Sequence, residues 1–77
     1  MHTFCAYLTF SDNRSSSIYK TNSINDLVKW LTMSYDVRHD NTDLGVVVSV
    51  DESDVYKGEL NHVVILGLKQ ILFDNFG

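Results

Sequence analysis

Apolar and polar residues alternate from His2 to Phe10. Phe4, Ala6, Leu8 and Phe10 fall on one face, and Thr3, Cys5, Tyr7 and Thr9 on the other. Period two with aromatic and β-branched residues predicts a half-buried strand. Ser11-Asp12-Asn13-Arg14-Ser15 is turn chemistry. Ser16 to Thr21 then reads as a shorter strand through Ile18 and Tyr19, pairing antiparallel with the first.

The period changes after Thr21. Ile24, Leu27, Val28, Leu31 and Tyr35 recur at i, i+3, i+4, i+7 and i+11, the stripe of an amphipathic helix. Asn22 or Ser23 is placed to cap it, and Asp26 suits its positive end. Asp36 to Asp43 is polar and predicts a loop. Leu44 to Val50 alternates again, with valine on both faces, which predicts a central strand. Asp51 to Gly58 reads as a second polar loop, interrupted by Val55 and Tyr56.

The tail supports two readings. Leu60, Val64, Leu68, Ile71 and Leu72 form a helical stripe, while Val63-Val64-Ile65-Leu66 also suits a buried strand. Eighteen residues without a turn signal favour a helix. The expected fold is a single α+β domain over residues 1–77. It has a three-stranded antiparallel or mixed sheet and two helices in the order β-β-α-β-α. The alternative makes the tail strands at 62–66 and 70–73, giving β-β-α-β-β-β.

Size and charge narrow the function classes. Seventy-seven residues allow one domain with a thin core. The single cysteine, Cys5, has no partner for an intrachain disulfide. The longest apolar run, Val63 to Leu68, is far short of a membrane span, and the first residues lack the pattern of a secretion signal. A cytoplasmic protein off the membrane is expected. The net charge is −4, and the six Lys and Arg form no stripe, which argues against direct nucleic-acid binding.

No catalytic motif stands out. Cys5 lies mid-strand, where a thiol acts as a small hydrophobe rather than a nucleophile. Asp36, His39, Asp40 and Asp43 have metal-binding donor types, but their spacing matches no calcium or zinc loop. Asp51, Glu52 and Asp54 read as solvated carboxylates rather than an acid–base pair. His62 reads as a core or boundary histidine with a satisfied hydrogen bond. Neither enzyme activity, a cofactor nor a metal is expected.

The charge distribution is more informative. Residues 36–59 hold seven acids against two bases, and the rest of the chain holds three acids against four bases. The loops around the third strand therefore carry the negative charge, as one patch or two. Asp36, Asp40, Asp43, Asp51, Glu52 and Asp54, with Tyr35 and Tyr56 beside them, are candidates for docking on a partner protein with a basic surface. Small acidic α+β proteins of this profile are common products of phages and mobile elements, where many inhibit a larger host complex. An inhibitor of a nucleic-acid-handling complex is thus one expectation. Surplus apolar surface at Val55, Ile65, Leu66, Phe73 and Phe76 raises a second, a homodimer or larger homo-oligomer.

Overall fold

The computed structural model describes residues 1–38 and 44–77. The chain forms β1 (Phe4–Thr9), β2 (Tyr19–Thr21), α1 (Ile24–Val37), β3 (Gly45–Val50), β4 (Ser53–Glu59) and α2 (His62–Phe76). This is a small α+β domain with a four-stranded antiparallel sheet in the order β2-β1-β3-β4. The three-stranded expectation is corrected by one strand. An added strand is what the alternative reading allowed, but it lies at Ser53–Glu59, ahead of the expected place, and His62–Phe76 is helical.

The missed strand has a physical cause. Ser53-Asp54-Val55-Tyr56-Lys57-Gly58-Glu59 is polar and does not alternate. A bulge opposite Val48 and Ser49 breaks its period, and it is an edge strand. Its backbone pairs with β3 along one side, and few of its side chains need to be apolar. The valine-rich β3 lies between β1 and β4, as its two apolar faces predict. Even Val47, on the face away from the helices, is buried between its cross-strand neighbours Tyr7 and Lys57.

Both helices contribute to one core. Phe4, Ala6, Leu8, Val46, Val48 and Val50 of the sheet meet Ile24, Leu27 and Leu31 of α1 and Ile65, Leu68 and Leu72 of α2. Ser23 caps α1, its side chain accepting from Asp26 N at 3.3 Å. Asn61 caps α2 by accepting from Val64 N at 2.9 Å. Each such cap satisfies an amide that the helix itself leaves free. The other sheet face is open, with Cys5 and Tyr7 half-buried on it.

The aromatic side chains divide between core and rim. Tyr19 stacks on Trp30 with ring centroids 5.2 Å apart. Phe76 packs edge-on to Phe4 and His2. Of the expected apolar surplus, Ile65 is buried and Phe76 half-buried, whereas Val55, Leu66 and Phe73 stay exposed.

Candidate functional site

The acids separate along β3. Its six residues rise roughly 3.4 Å each, so its ends are about 17 Å apart. Asp36 and Glu59 belong to the end where β3 begins, and Asp51, Glu52 and Asp54 to the end where it turns into β4. Asp40 and Asp43, with the metal candidate His39, lie outside the described residues. A gap of that size exceeds the Debye length of about 8 Å at physiological salt, so the two ends act as separate patches.

At the first end the candidates bridge the two helices at the surface. His62 Nε2 lies 3.4 Å from Asp36 Oδ1, and its ring meets Tyr35 edge-on at 4.7 Å. His62 is therefore an exposed bridge between α1 and α2 rather than a core histidine. Tyr56 is also engaged: its hydroxyl donates to the Glu59 carbonyl at 2.7 Å. That bond caps part of the β4 edge, an outer ladder otherwise open to strand addition. Its phenol lies so close over Gly58 that a Cβ there would come within 2.9 Å of the hydroxyl. Tyr35 and Tyr56 thus have structural roles that the sequence did not signal.

The second end is a two-residue hairpin turn. Asp51 has φ +51° and Glu52 φ +71°, both left-handed. Mirror-image turns of this kind require that conformation, and they favour Asn-Gly or Asp-Gly. Asp-Glu is an unusual occupant, because a side chain in this region costs roughly 1–2 kcal/mol.

Asp51 is braced in place. Its carboxylate accepts from the Thr3 amide at 2.9 Å and lies 2.6 Å from His2 Nδ1, while its own amide donates to Thr3 O. The His2 hydrogen bond, then that of Thr3, hold the Asp51 pKa below its ordinary 3.8. Glu52 makes no side-chain hydrogen bond among the described residues. Asp54 pairs in register with Ser49 and is exposed. A shallow recess of about 450 Å³ adjoins the turn, lined by Thr3, Cys5, Lys20, Asp51 and Glu52. The positive φ of Glu52 was not legible in sequence, because the turn exists only once Ser53–Glu59 is known to be a strand.

Among the described residues, no three His, Cys, Asp or Glu side chains gather as a metal site would require. Nor is any described helix long and apolar enough to cross a membrane. No protein-family model, no curated protein and no solved structure matches the chain. Residue geometry is then the basis for a functional reading.

Proposed function

We propose that the protein is a cytoplasmic protein-binding module that docks the acidic β3–β4 turn on a basic surface of a partner. The supporting observation is the turn itself: Glu52 stands left-handed where glycine would be relaxed, with no side-chain hydrogen bond among the described residues. Strain of this kind is retained where a side chain is needed for something other than folding. Glu52 and Asp54 carry the docking charge, and Asp51, tied to His2 and Thr3, holds the turn rigid. Surfaces that bind nucleic acid are basic by necessity. A partner of that kind would lose access to its nucleic acid when the turn docks, which makes the protein an inhibitor, the role expected of a phage or mobile-element product.

The experiment compares capture from host lysate by the native chain and by the Glu52→Lys/Asp54→Lys variant. Circular dichroism verifies that both are folded. The expected result is a stoichiometric partner held at low salt by the native chain, released at high salt and missed by the variant. Equal capture by both chains overturns the acidic-turn reading.

A further inference from the structure

Helix α2 also exposes four large apolar side chains away from the sheet. Val63 is 78% exposed, Leu66 68%, Ile71 50% and Phe73 39%. Val63, Gly67, Gln70 and Asp74 are spaced i, i+4, i+7, i+11 and so form one line, half of it polar, opposite the buried Ile65, Leu68 and Leu72. Leu66 and Phe73 flank that line on one side and Ile71 on the other. Lys69, Gln70, Asp74 and Asn75 are exposed between these apolar side chains, so the face is mixed, as the surface of a small contact is.

Two further features indicate what covers it. Gly67 sits mid-helix at the centre of the line, and a Cβ built there meets nothing within 4 Å. Alanine would favour the helix about fivefold, and nothing in the fold of one chain requires glycine there. A bare backbone at this point does allow a second helix to approach closely. The second feature is charge. The helix has no acid in its first turn and no base in its last, and Asp74 stands near its C-terminal end, where the dipole disfavours it. Among the described residues its carboxylate is held by its own Gln70, at 3.0 and 3.1 Å.

We infer that α2 pairs with α2 of a second copy, antiparallel, about a two-fold axis through Gly67. Asp74 lies seven residues from that axis, so it reaches the first turn of the other helix. There the amides that the helix start leaves free complement its charge. Leu66 and Ile71 lie about 140° apart round the helix, so one partner helix covers Val63 and only part of the flanking apolar surface. The symmetric pair is therefore small, under the roughly 1,000 Å² of stable specific interfaces, and associates weakly. The contact is isologous and closes as a dimer.

Sedimentation equilibrium from about 10 μM to 1 mM tests this, a range suited to an interface of that size. The expected mass rises from one chain to two with concentration. Leu66→Lys and Gly67→Gln alter positions open to solvent in the single chain. Each keeps its circular dichroism spectrum and weakens association at least tenfold. Met33→Lys, a similar change at an exposed position of α1, leaves association unchanged. The mass of one chain at every concentration overturns the pairing, as does a dimer that tolerates both α2 substitutions.

Discussion

The two helices sit on the same sheet and bury similar inner faces, yet their outer faces differ. Helix α1 turns Asn25, Asp26, Lys29 and Asp36 to solvent, with Met33 and Val37 among them, behind buried Ile24, Leu27 and Leu31. Helix α2 turns out Val63, Leu66, Gly67, Ile71 and Phe73, behind buried Ile65, Leu68 and Leu72. The first is polar over most of its outer face, with apolar exposure confined to Met33 and Val37. The second is finished only on the side the sheet covers. In a four-stranded domain the inner face can bury one stripe of each helix, so an added apolar stripe has no place within the chain.

The largest test asks whether the inner faces are equivalent. Leu31 and Leu72 are both fully buried. Leu31→Ala and Leu72→Ala should each cost about 2–5 kcal/mol in urea unfolding, most of the stability of so small a domain. A much smaller loss at Leu72 would mean that α2 is not truly docked, and the contrast would then be one of docking rather than of outer faces.

The next effect concerns the helix starts. Ser23→Ala and Asn61→Ala each remove a capping oxygen, at a cost of about 1 kcal/mol by thermal or chemical unfolding. Similar losses would confine the difference between the helices to their outer faces. At the strained turn the sign reverses. Glu52→Gly should raise stability by about 0.5–1 kcal/mol while reducing partner capture, since glycine is relaxed at positive φ.

The smallest effect is acid sensitivity where the C-terminal end of α2 meets the turn. The His2 ring lies 5.0 Å from that of Phe76 and hydrogen-bonds Asp51. The Asp51 pKa is lowered in the folded state, so its contribution is full above the ordinary 3.8 and is lost as pH falls through the lower folded value. His2→Ala returns Asp51 toward its ordinary value. Melting temperature measured between about pH 2 and 5 should then fall less steeply for the variant than for the native chain. Parallel curves would remove His2 as the main cause.

Much of this contrast is legible along the chain. The stripe at Ile24, Leu27 and Leu31 marks α1, and Ser23 marks its start. The alternation at Phe4, Ala6 and Leu8 marks β1. In each case one buried face imposes one period. In α2 apolar residues occur all round, so the period is blurred and the stripe is misassigned in part. Ile71 belongs to it by spacing but is half exposed, and Ile65 is buried in its stead. Of the proposed site, the acidic character of residues 51–54 was visible, but their strained turn and their separation from Asp36 were not.

The sequence by itself determined the α+β class, the central position of β3, the tail helix favoured by its length and the concentration of acids around β3. These follow from local period, length and composition, which act within a few residues. Only the tertiary structure decided that Ser53–Glu59 is a strand, since an edge strand is held by the backbone of its neighbour and needs no apolar pattern of its own. It also decided which apolar side chains of α2 remain outside, because burial depends on how much sheet there is to cover them.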